Sequence, residues 1–262
     1  MIKEIKELLS VERIHLAIEP ENKEYLSGIE IFDSIDSTNT YLIKKIKQNA
    51  PSGWICLAEQ QTHGRGRLGK SWFSPAGANI YCSMLWRFVD PHLDISGLGI
   101  AIGVMVVNAL HQYGIQSGLQ LKWPNDVLVA GRKLSGILLE RSACGAVVIG
   151  IGLNIDVKEA EEKNWIDISE LMGPSIARNF LVGLLLNEML KKLPEFERRG
   201  LVVFLPEWQK YDALLNKEIT IITPGKNIVG VMRGVNSAGE LLLENENGVQ
   251  CFRYGEVSVQ LS

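Results

Sequence analysis

Gly64-Arg65-Gly66-Arg67-Leu68-Gly69-Lys70-Ser71 is the stretch on which the reading of the fold turns. Letter for letter it satisfies G-x-x-x-x-G-K-[ST], the phosphate-binding loop of nucleotide-hydrolysing α/β domains. Such a loop requires a helix starting at Lys70-Ser71, because the helix N-terminus holds the phosphate. The chain continues instead as Trp72-Phe73-Ser74-Pro75-Ala76-Gly77, where Pro75 and Gly77 break the first turns. The match is therefore coincidental, and the stretch is read as an open loop. Three glycines expose backbone N–H groups, and two arginines and a lysine add donors that suit phosphate oxygens.

Outward from this loop the pattern is one of strands clustered between helices. Upstream, Trp54–Ala58 reads as a strand running into the loop Glu59–Lys70, and Gly28–Phe32 alternates like a strand. Between them, Asp36-Ser37-Thr38-Asn39 offers N-caps for a helix through Ile46. Downstream come a strand over Asn79–Phe88 and a helix over Ser96–Tyr113, whose Gly97, Gly99 and Gly103 suggest close packing on a sheet. Leu119–Trp123, Val127–Ala130, Leu134–Arg141 and Ala146–Ile155 read as four short strands, and Ile176–Leu193 and Leu201–Leu214 as helices. The expected fold class is α+β, a mixed β-sheet with flanking helices rather than a doubly wound one. In the tail, Ile219–Ile222, Val229–Met232, Glu240–Glu244 and Gly248–Phe252 are short strands separated by Pro-Gly, Ala-Gly and Asn-Gly turns, which fits a small all-β barrel. Ile2, Ile5, Leu8 and Leu9 suggest a short N-terminal helix. The expected units are therefore 1–27 (helix and connector), 28–214 (main domain) and 215–262 (barrel).

The 262 residues are 46% hydrophobic and 22% charged, with a net charge of -3, which excludes disordered, collagenous and coiled-coil classes. The balance argues against a whole-surface affinity for nucleic acid or anionic lipid and leaves room for a local basic patch. Cys56, Cys82, Cys144 and Cys251 form no Cys-x-x-Cys pair, so neither a disulfide framework nor a zinc pattern is expected. Ile95–Leu121 lacks formal charges, but Asn108, His111, Gln112, Gln116 and Gln120 interrupt it too soon for a membrane span of about 20 residues. The N-terminus mixes acids and bases and is expected to carry no signal peptide. A cytoplasmic location is expected.

Two further constellations carry possible chemistry. Lys122-Trp123-Pro124-Asn125-Asp126, followed by Arg132-Lys133-Leu134-Ser135-Gly136-Ile137, brings a lysine, an asparagine and an aspartate to one strand–turn–strand corner. Taken alone, Pro-Asn-Asp is ordinary turn chemistry. Asn154, in Gly150-Ile-Gly-Leu-Asn, sits at a glycine-rich strand end, where a turn role is the simpler reading.

Asp36-Ser-Thr-Asn, Gly64-Arg-Gly-Arg-x-Gly with Trp72 after it, Lys122-Trp-Pro-Asn-Asp, Arg132-Lys-Leu-x-Gly-Ile and Gly150-x-Gly-x-Asn are each weak alone, but in this order the chain resembles the biotin protein ligase family. The likeness runs from about Phe32 to the C-terminus. It implies a catalytic domain of class II synthetase-like fold with a C-terminal SH3-like barrel. It also implies an enzyme that activates biotin with ATP to biotinyl-5'-AMP, releasing pyrophosphate, and then transfers biotin to a lysine of a biotin carboxyl carrier protein.

By that resemblance Ser37, Thr38, Asn39, Gln61 and Gly136 contact the biotin head group. Arg65, Gly66 and Arg67 clasp the carboxylate and phosphate, and Lys133 holds the biotin carboxylate or the acyl-phosphate oxygens. Arg67 and Lys122, with Lys133, are the expected catalytic groups. Trp72 matches a tryptophan that stacks on adenine, and Asn125, Asp126 and Asn154 serve the nucleotide end. Mg2+ is expected to come with ATP rather than to sit on fixed protein ligands. Lys70 stands where the family often has arginine, so charge survives but bidentate geometry does not. Some relatives carry an N-terminal winged helix-turn-helix and repress biotin operons. About 35 residues precede Asp36, so a monofunctional ligase without specific DNA binding is expected. A homodimer is common among relatives and has no signature here. The alternatives are a lipoate or octanoate ligase of the same fold, whose arginine-plus-glycine-triplet motif is not found, and a biotin-responsive DNA-binding regulator.

Overall fold

The computed structural model describes residues 7–157, 164–223, 226–253 and 258–261. Seven strands build the main sheet: β1 (Gly28–Phe32), β2 (Trp54–Ala58), β3 (Asn79–Trp86), β4 (Leu119–Lys122), β5 (Asp126–Val129), β6 (Arg132–Arg141) and β7 (Val147–Asn154). Their spatial order is β1-β2-β3-β7-β6-β5-β4, with only β1 and β2 parallel. The mixed sheet expected from the sequence is therefore present.

Side chains alternate between the two faces of a strand, and directly opposed residues share a face. One face carries Ile80, Met84, Ile149, Ile151 and Ile137, fully buried with the helices α3 (Leu98–Tyr113) and α5 (Arg178–Arg199) in one apolar core. α3 is apolar all round over Leu98–Val107, where every residue is buried, and turns polar only in its last turns, where Gln112 is exposed. It stops at Gly114, whose φ of 114° supplies a left-handed cap. A β-carbon on Gly103 would fall 3.1 Å from Leu121 Cδ2, so this glycine lets α3 lie close on the sheet. On the opposite face α2 (Thr38–Lys47) buries Leu42 and Ile46 against Cys56, Leu85 and Val148 and covers one end only. The uncovered end of that face is where the motifs gather.

Several helical expectations need correction. The helix expected over Ile2–Leu9 lies partly outside the described residues, and Leu8 and Leu9 are not helical. Ser10 instead caps α1 (Val11–Ala17) by accepting from Arg13 N, so that Ile14 and Ile18 are buried while Leu8 stays 71% exposed. α5 runs five residues beyond Pro194, because Phe196 packs between Phe88 and Phe204 and tertiary burial outweighs the lost helical bond. The helix expected over Leu201–Leu214 is a short 3-10 turn at Leu201–Val203 and then α6 (Leu205–Tyr211), with Pro206 in its first turn. α4 (Ile168–Met172), capped by the Asp167 carboxylate, was not foreseen.

The tail forms a second sheet of β8 (Glu218–Thr223), β9 (Lys226–Val235), β10 (Leu241–Asn245), β11 (Gly248–Phe252) and β12 (Ser258–Leu261), antiparallel in the order β11-β10-β9-β8-β12. This is the small barrel-like unit expected there, with β12 as an unforeseen addition; the Pro224-Gly225 turn lies outside the described residues. Its Ala238-Gly239 turn rests on the main domain: a β-carbon on Gly239 would fall 2.9 Å from Gly97 Cα, and Trp123 Nε1 donates to Gly239 O at 3.0 Å. Among the described residues no helix is long and apolar enough to cross a membrane.

Candidate active site

The register of the main sheet lines up one row across six strands: Lys122, Asp126, Gly136, Gly152, Tyr81 and Ala58 oppose one another in turn. The next row carries Leu138, Gly150, Ser83 and Cys56. Small and polar residues thus replace the apolar ones where α2 stops covering the sheet. The three glycines are needed for space. A β-carbon on Gly150 would fall 2.2 Å from Asn39 Oδ1, and one on Gly152 or Gly136 would fall 2.5 or 2.9 Å from the indole ring of Trp72.

α2 begins over this floor. Ser37 caps it, and Thr38 and Asn39 in its first turn are buried. Thr38 N donates to Gln61 Oε1 at 2.9 Å, and Gln61 Nε2 donates to Ser74 Oγ at 3.1 Å. Ser83 Oγ, fully buried, donates to Asn39 Oδ1 at 2.6 Å and lies 2.7 Å from Thr38 Oγ1. The Asn39 amide is thereby fixed, with Nδ2 donating to Glu140 Oε2 at 2.8 Å.

The glycine–arginine loop folds over the same floor as a hairpin. Gly66 N donates to Lys70 O, Trp72 N to Gly64 O, and Arg65 bridges Ser71. Gly64 has no room for a β-carbon, which would fall 2.4 Å from Ser74 Oγ. No helix starts at Lys70-Ser71; a single 3-10 turn, Arg67–Gly69, makes the tip, so the loop is not the nest of a nucleotide hydrolase. Arg65 Nη2 lies 2.6 Å from Glu140 Oε2, and Arg67 Nη1 donates to Asn125 Oδ1 at 3.1 Å. Asn125 itself donates to Ile137 O at 2.7 Å, which ties the Pro124-Asn125 corner to β6.

Lys133 Nζ pairs with Asp126 Oδ1 at 2.6 Å and stands 5.2 Å from the centre of the Trp72 ring. One cleft is lined by Ser37, Thr38, Asn39, Gln61, Arg65, Gly66, Arg67, Trp72, Asn125, Asp126, Lys133 and Gly136, all singled out from the sequence. Lys122 and Asn154 are not among its lining residues. Lys122 stands beside Asp126 on the edge strand. Asn154 lines a smaller cleft on the other side of Trp72, and its Nδ2 donates to Lys133 O and Ile166 O at 3.3 and 3.2 Å. The cleft therefore has a hydrogen-bonding end of hydroxyl and amide groups at α2, and an end at the loop where Arg65, Arg67 and Lys133 gather, with Glu140 and Asp126 pairing two of these cations. Ser83 and Glu140 were missed: nothing in a strand's sequence marks a serine or a glutamate as the partner of an asparagine on a distant helix.

Residues 31–156 match the model of the Biotin/lipoate A/B protein ligase family, and residues 214–259 that of the Biotin protein ligase C terminal domain. The bifunctional ligase/repressor BirA of Escherichia coli is 37% identical over 241 residues, 89% of this chain and 74% of BirA. The chain belongs to the biotin protein ligase family. The biotin–[acetyl-CoA-carboxylase] ligase of Mycobacterium tuberculosis is 31% identical over 82% of this chain and 83% of its own. Among solved structures, the biotin protein ligase of Aquifex aeolicus in complex with biotin and ATP superposes with a TM-score of 0.80 at 26% identity, covering 90% of this chain and all of that one. Membership of the biotin protein ligase family accounts for both sheets together, the mixed one and the barrel-like one.

Proposed function

We propose that this protein joins biotin to ATP, releasing pyrophosphate, and then passes the biotinyl group from biotinyl-5'-AMP to a lysine of a carboxylase's biotin carrier domain. The observation that carries the reading is the two-ended cleft, with neutral donors and acceptors at α2 and fixed cations at the loop. The barrel unit, residues 215–262, supports the corner at Trp123 rather than the chemistry, which belongs to residues 28–214.

The ureido ring of biotin is polar and must be buried with its hydrogen bonds made, since an unsatisfied group costs about 1–3 kcal/mol. Ser37, Thr38, Asn39 and Gln61 offer hydroxyl and amide partners, and Gly136 leaves room behind the ring. The biotin carboxylate and the α-phosphate of ATP are both anions, and two like charges about 4 Å apart repel by about 4 kcal/mol at an effective dielectric of about 20. Arg65, Arg67 and Lys133 offset that repulsion, and Lys122 meets the phosphates from the sheet edge. A biotin carboxylate oxygen attacks the α-phosphorus as the bond to pyrophosphate breaks, and Arg67 and Lys122 stabilise the charge of the five-coordinate centre. In the second step the carrier lysine's amine attacks the acyl carbon and AMP leaves. Trp72 serves as the stacking surface for adenine, with Asn125, Asp126 and Asn154 at the nucleotide end.

Asn125 Oδ1 already accepts from Arg67 and Asp126 pairs with Lys133, so Mg2+ would be held mainly by the substrate phosphates and water, with the Asp126 carboxylate beside them. The ion would supply charge neutralisation of the triphosphate. Pyrophosphate exchange into ATP tests the first step directly. The exchange is expected to require biotin and to be absent with lipoate; ATP consumption without biotin contradicts the proposal.

A further inference from the structure

The glycine–arginine loop is pinned to the sheet at two places. At one end Arg67 binds Asn125, beside Gly136. At the other, Arg65 Nη2 lies 2.6 Å from Glu140 Oε2. Glu140 follows Gly136 by four residues on β6, so both side-chain positions face the cleft side of the sheet, about 13 Å apart at about 3.3 Å per residue. The loop is thus stretched along β6 between the two pins, with Leu138 beneath it.

We propose that Glu140 is a positioning residue for the ligase reaction, acting through Arg65 and Asn39. Its carboxylate only accepts hydrogen bonds. One of its oxygens takes both Arg65 Nη2 and Asn39 Nδ2, and Ser83 takes the other end of the Asn39 amide. Glu140 therefore sets which way the Asn39 amide faces and where Arg65 stands, and it ties the biotin end of the cleft to the anion-clasping loop. Arg65 uses one of its five donors on this contact and keeps the others for the carboxylate of the ligand. A pair this exposed adds little to global stability. Its effect lies in holding the loop over the cleft before the ligand arrives.

The inference rests on the ligase reading, and two readouts separate the two. In Glu140→Gln the carbonyl oxygen can still accept from Asn39, but the ion pair to Arg65 is lost. Trypsin cleavage of the ligand-free protein after Arg65, Arg67 and Lys70 is expected to quicken about fivefold, the change that about 1 kcal/mol produces, with the thermal midpoint unchanged. The KM for biotin is expected to rise by about the same factor with kcat held. Arg65→Gln should quicken cleavage after Arg67 and Lys70 equally, and the double variant should be no faster than either single one. Equal loop cleavage in parent and Glu140→Gln overturns the pin, as do effects of the two variants that multiply. Faster cleavage with an unchanged biotin KM overturns the positioning role. Faster cleavage in a protein whose parent makes no biotinyl-AMP overturns the ligase reading and leaves the pin standing.

Discussion

A β-carbon on Gly152 would fall 2.5 Å from Cε2 of Trp72, so the indole can lie on the sheet only because β7 carries glycine there. Gly136, opposite Gly152 on β6, completes the trough. Gly152→Ala must push the ring off its seat. The expected outcome is at least about a tenfold loss of ATP affinity, the effect of about 1.4 kcal/mol, with biotin affinity changed less. Trp72→Ala should show the same ordering. Calorimetric titration of each ligand checks it, and a larger loss for biotin than for ATP would mean that the ring serves the other substrate.

Arg67 is oriented by Asn125, which β6 in turn holds through Ile137 O. Hydrogen bonds to charged groups contribute about 1.5–3 kcal/mol, so Arg67→Ala should release biotinyl-AMP into solution about tenfold faster or more. Asn125→Ala should reproduce part of that leak, because the arginine keeps its charge and loses its aim. Mass spectrometry of the filtrate during turnover measures the leak. Equal retention in all three proteins removes Arg67 from the site.

Arg178 and Glu59 form a buried pair at 2.8 Å, and Arg178 also donates to Glu7 O and Asn79 O. Leu9 N donates to Glu59 Oε1, so the pair fastens the N-terminal segment to the start of the glycine–arginine loop. Removing one partner of a buried pair leaves an uncompensated charge and costs about 3–5 kcal/mol. Arg178→Ala should therefore lower the denaturant midpoint strongly. Glu59→Leu with Arg178→Met should cost less than Arg178→Ala alone; the opposite order would contradict this account.

Cys144 is exposed beside Ser142 and Arg87. Hydrogen bonding from Ser142, then from the Ala146 backbone and Arg87, holds its thiol down to about 7. The thiolate is the reactive form, so alkylation should rise with pH and pass its half-point near 7 rather than 9. Burial pushes Cys82 up to about 12 and raises Cys56 as well, so both should stay unmodified in the folded protein. Peptide mapping after timed iodoacetamide labelling reads this out, and a half-point near 9 for Cys144 contradicts it.

Much of this architecture is legible in the chain because alternation and turn chemistry are local. β2, β7 and the Ser37 cap each follow from a few neighbouring residues. Pro75 and Gly77 alone dispose of the nucleotide-hydrolase reading of Gly64–Ser71. What is not legible depends on distant partners. α5 continues past Pro194 because Phe196 has aromatic neighbours from two other segments. Asn154 marks a glycine-rich strand end in sequence, yet its amide clamps the backbone of Lys133 and Ile166, a contact set by strand order. Glu140 is one charge in a strand until the sheet register and α2 bring Asn39 to it.

The chemistry assigned to the two-ended cleft is the synthesis of biotinyl-AMP and the passage of biotin to a carrier lysine. Intact-mass analysis of a biotin carrier domain incubated with this protein, Mg-ATP and biotin, with lipoate in parallel, tests it most directly. A biotin-sized mass gain that needs both ATP and biotin, and no gain with lipoate, is the predicted result. An unmodified carrier alongside continued ATP consumption would contradict it.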